Sequence, residues 1–577
     1  MEHHAEILRG GLWQPRIANW RDLVATALLV AIIVLLGLGA RQMLAPFVVE
    51  RQPEISLSPA ALPAYALRTT VRMLAALVAS FAFTFTYASL AAKSRRAEMV
   101  LLPLLDVLQS VPVLGYLSFT VVFFVSLFPS SILGPELAAI FAIFTSQAWN
   151  MAFSFFQALR TVPRDLDEAS RSFRFSGWQR FWRLEVPFAM PGLIWNTMMS
   201  MSGGWFFVVA SEAISVGDLH VALPGIGSYV ARAIEDRNLG AVGWAIVAMT
   251  ATILIYDQLL FRPLVAWADK FRYEQTTAQV RPRSWAIELF RQTRILQPAG
   301  EFVGTILQTV ARARLRAPSF AWPFAHPMAS RLLDLVWYGC ICLGIACAGW
   351  VLTRYVKDEL SWVDLSDVLG NGSLTLLRVA ILIVLATLIW VPIGVAVGLR
   401  PNVAEKVQPL AQFLAAFPAN LLFPVAVYLI VRFDLAPKIW LSPLMILGTQ
   451  WYILFNVIAG ASAFPSDLRE AAASLRMSRW RWWRQVMLPG IFPYYVTGAI
   501  TAAGGAWNAS IVSEAVSWGS TKINGAGLGA YIAQMTQAGD YPRIALGVAM
   551  MSVLVVAMNR LVWRPLYAFA ERRTRLD

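Results

Sequence analysis

Apolar runs long enough to cross a bilayer dominate this chain, and they come in two sets. A membrane helix needs about 20 mainly apolar residues, and without water it must satisfy its backbone groups internally. Runs near 23–41, 65–92, 99–128, 136–159, 188–215 and 240–262 reach that length, and a second set lies near 332–352, 372–399, 406–432, 438–463, 490–516 and 541–563. The expected fold is therefore an all-α polytopic membrane protein of about 12 helices. Only 14% of the 577 residues are charged, against about 25% in soluble domains. The first run has no small-residue cleavage site after it, so it is expected to stay as a membrane helix.

The net charge of +14 gathers on one side of these runs. Lys93, Arg95, Arg96, Arg160, Arg164, Arg171, Arg174, Arg180 and Arg183 fall there, as do Arg469, Arg476, Arg479, Arg481, Arg484, Arg572, Arg573 and Arg575. The opposite loops hold fewer, such as Arg51, Arg237, Lys357 and Lys522. Such a bias orients membrane helices and places both termini in the cytoplasm, which accounts for the basic charge without nucleic acid. Cys340, Cys342 and Cys347 share one apolar segment, and His3, His4, His220 and His326 are scattered. Neither set has zinc or redox spacing. A reactive cluster of the kind a membrane enzyme needs is not found either.

One loop pattern occurs twice, about 302 residues apart. The first copy reads Pro163-Arg-Asp-Leu-Asp-Glu168-Ala169-Ser170, then Trp178, then Leu184-Glu-Val186-Pro187; the second reads Pro465-Ser-Asp-Leu-Arg-Glu470-Ala471-Ala472, then Trp480, then Val486-Met-Leu488-Pro489. The duplication extends further. Thr69 and Arg72 match Thr375 and Arg378, Pro112 matches Pro418, Trp149 matches Trp451, and Trp205 matches Trp507. Ser211-Glu212 matches Ser513-Glu514, Gly225-Ile-Gly227 matches Gly527-Leu-Gly529, and Arg262-Pro263-Leu264 matches Arg564-Pro565-Leu566. Two halves are expected, 1–262 and 332–577, joined by a basic linker, 263–331. An even number of spans in each gives both halves the same orientation, with a path between them. In the linker, Ser284 to Leu296 has amphipathic helical spacing suited to the inner membrane surface. The linker reads either as a tether or as a regulatory element.

The repeated loop resembles the EAA loop of ABC importer permeases, which runs Glu-Ala-Ala, three residues, Gly, nine residues, Ile-x-Leu-Pro. Glu168-Ala169-Ser170 with Leu184-x-Val186-Pro187 keeps that spacing, and so does Glu470-Ala471-Ala472 with Val486-x-Leu488-Pro489. Both copies carry Arg, Arg174 and Arg476, where the family has Gly. Gly permits a positive φ that Arg disfavours, so the loop is expected to turn differently. Thr69-x-x-Arg72, the Pro112 span, Ser211-Glu212 and Leu223-Pro224-Gly225-Ile-Gly227 look most like the duplicated permeases of nitrate/sulfonate/bicarbonate-type anion importers.

The resemblance implies a type I importer permease with two parallel six-helix repeats in the bacterial inner membrane. It implies two ATP-binding cassette subunits inside, which bind ATP and Mg, and a substrate-binding protein outside. This chain has no Walker A loop, because none of its six Lys residues follows Gly; it is expected to carry no cofactor and no ATPase site. The ATPase-coupling residues implied are Glu168, Ala169, Arg171, Arg174 and Pro187, with Glu470, Ala471, Arg476, Arg479 and Pro489. Glu168 and Glu470 are expected to cap or anchor the docking helices, and the arginines to meet an acidic surface.

A charge at mid-membrane costs about 2.5–3.5 kcal/mol and usually has a partner or a wet cavity. Depth counting pairs Arg72 with Glu212 and Arg378 with Glu514, either to fix helix packing or to form an outer gate or substrate contact. A charge exchange between Arg72 and Glu212 is then expected to keep assembly. Pro112 and Pro418 should break their spans. Asn196, Ser200, Asn508 and Ser510 either line the path or bond helix to helix, and Trp205 and Trp507 either narrow it or fill the core. A fused permease for ferric ion or thiamine shares these loops. A 12-helix secondary transporter is the rival of another class and needs no docking loop.

Overall fold

The computed structural model describes residues 20–42, 54–129, 131–217, 219–271, 284–293, 297–313 and 360–574, with isolated positions between 337 and 359. Most of the expected 332–352 span lies outside these residues, as do Arg51, Cys340, Lys357, His3, His4, His326, Leu296 and Arg575.

The first half begins with α1 (Trp20–Gln42), α2 (Leu62–Lys93), α3 (Arg95–Ser110), α4 (Val113–Leu127) and α5 (Leu133–Arg160). It continues through α6 (Arg164–Ser172), α7 (Gly177–Arg180), α8 (Val186–Glu212), a hairpin of β1 (Ala213–Val216) and β2 (Leu219–Ala222), α9 (Ile226–Glu235) and α10 (Leu239–Tyr256). The linker supplies α11 (Arg262–Ala268), α12 (Trp285–Arg291) and α13 (Gln297–Arg312). The second half repeats the plan with α14 (Trp362–Gly398), α15 (Pro401–Ala416), α16 (Phe423–Arg432), a segment Pro437–Leu447 and α17 (Trp451–Ser462). Then come α18 (Ser466–Ser474), α19 (Arg479–Trp482), α20 (Leu488–Ser513), the β3 (Ala515–Trp518) and β4 (Thr521–Asn524) hairpin, α21 (Leu528–Ala538), α22 (Tyr541–Met558) and α23 (Arg564–Thr574).

Among the described residues six helices are long and apolar enough to cross a membrane, and nine if each of three bent pairs is one span. The protein is an all-α polytopic membrane protein, with α1 and α8 occupying two further expected spans. Prolines set two of these bends. α3 and α4 meet at 100° just before and after Val111-Pro112, and α15 and α16 bend by 78° around Phe417-Pro418. Proline cannot donate to the helix and clashes with the preceding turn.

Four other prolines are absorbed without a break. A π-helical turn, Phe181–Glu185, immediately precedes Val186-Pro187, and Trp483–Met487 precedes Leu488-Pro489. Asp257–Phe261 likewise precedes Arg262-Pro263, and Asn559–Trp563 precedes Arg564-Pro565. The extra residue in a π turn loosens the ladder, which makes room where the proline ring would meet the carbonyl four residues back.

By contacts the chain forms two bodies. The smaller contains Thr161–Ile194 and Ile255–Phe320; the larger contains Ala40–Arg160, Trp195–Leu254 and Ala321–Asp577. The larger body's core joins both halves: Val113, Leu117 and Val121 of α4 lie in one cluster with Trp507, Ile511, Val548 and Met551. A Cβ on Gly115 would stand 2.7 Å from Val548 Cγ2, so glycine lets α4 approach α22.

The two antiparallel hairpins, Ala213↔Ala222 and Ala515↔Asn524 at their open ends, were not expected from the sequence. Each reaches the other half. Gly217 N–H donates to Thr536 O at the end of α21, and Gly519 N–H donates to Ile234 O at the end of α9, both at 3.0 Å. Gly217 and Gly519 take φ of +55° and +59° at equivalent turn positions.

In the linker, the helix expected over 284–296 covers only Trp285–Arg291. Ser284 caps its start, and its last turn closes at Gln292. The longer α13 was not anticipated.

Candidate functional site

Three features are built from the repeated motifs. The first is the pair of loops. α6 and α18 begin after Pro163 and Pro465 and end on residues Arg174 and Arg476 at φ +51° and +45°. Arg174 N–H donates to Arg171 O at 2.9 Å and Phe175 N–H to Ser170 O at 3.1 Å. Arg476 N–H donates to Ala473 O at 3.0 Å and Met477 N–H to Ala472 O at 3.1 Å. This is the Schellman termination that glycine normally makes. The expectation that Arg changes the turn is thus corrected: the left-handed turn is kept in both copies, at about 1–2 kcal/mol of Cβ strain each.

Glu168 and Glu470 do not cap these helices. Both lie past the first turn, exposed, with no ion pair or side-chain hydrogen bond among the described residues. Ala169, Ala471, Arg174, Arg476 and Arg479 are exposed as well, and Pro187 and Pro489 open the helices that follow. The ion pairs that shape the first loop belong to Asp167, which meets Arg171 at 2.8 Å and Arg180 at 2.7 Å. Arg469 stands at the matching place in the second loop, which therefore lacks this brace.

The second feature is a buried ion network in each half. Glu212 accepts from Arg72 Nη1 at 2.7 Å, Thr69 Oγ1 at 2.7 Å and Gly227 N–H at 2.6 Å. Glu514 accepts from Arg378 Nη1 at 3.0 Å, Thr375 Oγ1 at 3.0 Å and Gly529 N–H at 2.8 Å. Each carboxylate thus sits at the amino end of α9 or α21, where the helix dipole favours negative charge. The glycines permit that approach. A Cβ on Gly225 would lie 2.3 Å from the Glu212 carboxylate, and one on Gly227 would lie 2.2 Å from Val209 O. Both expected ion pairs are therefore present.

The halves then diverge. Arg72 also holds Glu136, through Nε at 2.6 Å and Nη2 at 2.7 Å, and all three charged groups are buried. Among the described residues Arg378 has no second carboxylate; it donates to the carbonyls of Ala526, Gly525 and Lys438 instead. Sequence reading missed Glu136. An acid in an apolar run was the available signal. In the charge exchange expected to keep assembly, an acid at position 72 would face Glu136.

The third feature is a cavity of about 460 Å³ in the larger body, walled by both halves. Asn196, Ser200 and Asn508 line it, as expected; Ser510 does not, being fully buried with its hydroxyl on Trp507 O. Arg72, Glu212, Arg378 and Glu514 are absent from the wall. Trp507 lines it while Trp205 is buried outside it. Among the described residues the wall has one carboxylate, Asp106, no Lys, Arg or His, and several aromatic rings, including Trp149, Trp195 and Tyr452. Asn508 Oδ1 accepts from Val113 N–H at 2.8 Å just past the Pro112 break, linking the halves at the wall.

A family model described as binding-protein-dependent transport system inner membrane component matches twice, at residues 84–262 and 389–575. Together the matches cover more than half of the chain. The chain belongs to that family. Each family segment contains one repeated loop; the first also holds Glu136 and Glu212 of the ion networks, and the second holds Glu514. Among relatives, the bicarbonate transport system permease protein CmpB of Synechococcus elongatus is 30% identical over 188 residues, 33% of this chain and 64% of its own length. The nitrate import permease protein NrtB of Leptolyngbya laminosa is 24% identical over 188 residues, with the same shares. The glycine betaine/proline betaine transport system permease protein ProW of Escherichia coli is 31% identical over 164 residues, 28% of this chain and 42% of its own. The matched stretch thus spans less than two thirds of these relatives.

Proposed function

We propose that this chain is the translocation subunit of an ATP-driven importer, with two fused membrane halves, 1–262 and 332–577, in one polypeptide. The observation that carries the reading is the loop pair. Two exposed helices end on the same left-handed turn, lead through the same π turn and enter a membrane-length helix at Pro187 and Pro489. A rigid, exposed, duplicated element suits docking of two equivalent partners. Those partners are two ATP-binding cassette subunits, which hold ATP and Mg; a substrate-binding protein delivers solute on the opposite face. The loops and both termini lie in the cytoplasm of a bacterial inner-membrane assembly, as the basic residues favour. ATP-driven closure of the partners moves the loops, and rigid-body motion of packed helices switches the access of the cavity.

Glu168, Ala169, Arg171, Arg174, Glu470, Ala471, Arg476 and Arg479 present the docking surface, and Pro187 and Pro489 pass its motion to α8 and α20. The Arg72–Glu212 and Arg378–Glu514 networks fix helix packing. The carried solute is a small anion. The names of the bicarbonate and nitrate relatives support this, and hydroxyl and amide donors in the wall offer weak, reversible hydrogen bonds. A betaine-like zwitterion is the second reading, favoured by aromatic rings and Asp106 in that wall.

The test is tagged purification in mild detergent, scored for co-purifying ATPase. Glu168→Arg with Glu470→Arg is expected to keep the fold, since neither side chain has a partner among the described residues, and to abolish co-purification. An ATPase-free chain that still moves solute down an ion gradient refutes the reading. Uptake of nitrate, bicarbonate and glycine betaine by the reconstituted assembly separates the two solute readings.

A further inference from the structure

The linker helix α13 is fastened to the first loop. Trp178 Nε1–H donates to Val310 O at 2.7 Å, and Gln179 Nε2–H donates to Arg312 O at 2.8 Å. The last carbonyls of a helix have no partner within it, so these two loop side chains help cap α13, with Val310 O also accepting from Ala313 N–H at 3.2 Å. Gln179 is itself fixed by its capping box with Ser176, and Trp178 rests edge-on against Trp182 at 5.8 Å. At the matching places the second loop has Trp480, which is 74% exposed, and Arg481, which has no amide.

Before that end α13 exposes an apolar face among the described residues. Phe302, Ile306, Leu307 and Val310 are all exposed, and their spacing puts them on one face. A single helix of this length is marginal in water, so this face needs a cover. Helices that lie on anionic lipid carry Lys and Arg on the polar face. The charged residues of α13 are Glu301 and Arg312, which cancel. Its apolar stripe runs instead toward the loop that caps it.

We propose that α13 is a second docking element, which forms with the first loop a composite surface for the ATPase subunit bound there. This rests on the docking role proposed above for the loops. The partner covers Phe302, Ile306 and Val310.

The test uses the full chain with Cys340, Cys342 and Cys347 changed to Ala, and a single Ile306→Cys or Phe173→Cys substitution. Phe173 is an exposed residue of the first loop. Alkylation by a maleimide–polyethylene glycol is followed by gel shift, with the ATPase subunits bound and after they are stripped. Both cysteines are expected to react at least about tenfold more slowly in the assembly, as side chains in an interface core do. Adding Trp178→Phe removes the indole donor and is expected to restore reactivity at 306 but not at 173. Protection at 173 alone overturns this proposal and leaves the docking role of the loop standing. Protection at neither position overturns both. Protection at 306 in ATPase-free vesicles of phosphatidylglycerol and phosphatidylethanolamine identifies lipid as the cover and overturns the proposal.

Discussion

Glu212 and Glu514 occupy the same place in the repeat, yet replacing each by Gln is expected to have different consequences. Each carboxylate accepts bonds from an arginine, a threonine and a helix N–H. Replacing a charged acceptor by a neutral one weakens these bonds by about 1–3 kcal/mol in either half. The difference lies in what is left behind. After Glu212→Gln, Arg72 still holds both oxygens of Glu136. After Glu514→Gln, Arg378 faces backbone carbonyls alone. Stranding a buried charge costs about 3–5 kcal/mol, discounted here because Arg378 is 10% exposed. Glu514→Gln should therefore cost about 2–4 kcal/mol more than Glu212→Gln. The assay is thermal unfolding of the purified chain in one detergent, followed by tryptophan fluorescence and by aggregation. The double change Glu136→Gln with Glu212→Gln should fall at least as far as Glu514→Gln. If Glu212→Gln unfolds at or below the midpoint of Glu514→Gln, the reasoning from a shared arginine is wrong.

Three further outcomes are expected. Arg174→Gly and Arg476→Gly should each stabilise the chain by about 1 kcal/mol, because glycine accepts the left-handed turn without a Cβ clash; a rise in the unfolding midpoint checks it, and a fall would mean the arginine side chains contribute more than their strain costs. Gly227→Ala should lose most folded protein on size exclusion, since its Cβ would meet a backbone carbonyl at 2.2 Å, whereas Gly243→Ala, with nothing within 4 Å, should be silent. Asn508→Leu leaves the Val113 N–H without its acceptor, which should cost about 1–3 kcal/mol and slow uptake in reconstituted vesicles.

Repetition made the ion pairs legible. Thr-x-x-Arg recurs, as does Glu with Gly 15 residues later, and in both halves the structure joins those four residues. Glu136 escaped for the same reason: at the offset of the later motifs Lys438 stands in its place, so duplication did not mark it. The hairpins escaped because four-residue strands at the end of an apolar helix leave too little periodicity to separate them from the helix itself. At Arg174 and Arg476 a sound local rule gave the wrong turn. The φ penalty is a property of one residue, while the two carbonyls bonded there, Ser170 and Arg171 in one copy and Ala472 and Ala473 in the other, belong to the helix end. The same limit applied to the linker. Nothing in 297–312 says that its last carbonyls will be met by a tryptophan and a glutamine more than a hundred residues earlier.

The crossed hairpins set an order of events during synthesis. The tip at Gly217 must wait for Thr536, roughly 320 residues further along the chain, before its N–H is satisfied. At translation rates of about 5–20 residues per second that delay is on the order of 15–60 s. The first half therefore enters the bilayer with one latch open and stays incomplete until the chain has been made as far as Thr536. The tip at Gly519 finds Ile234 already in place. A gene that fuses the two halves guarantees that the late arrival comes from the same molecule, and a ribosome that stalls in the second half leaves behind a product with an unclaimed strand end.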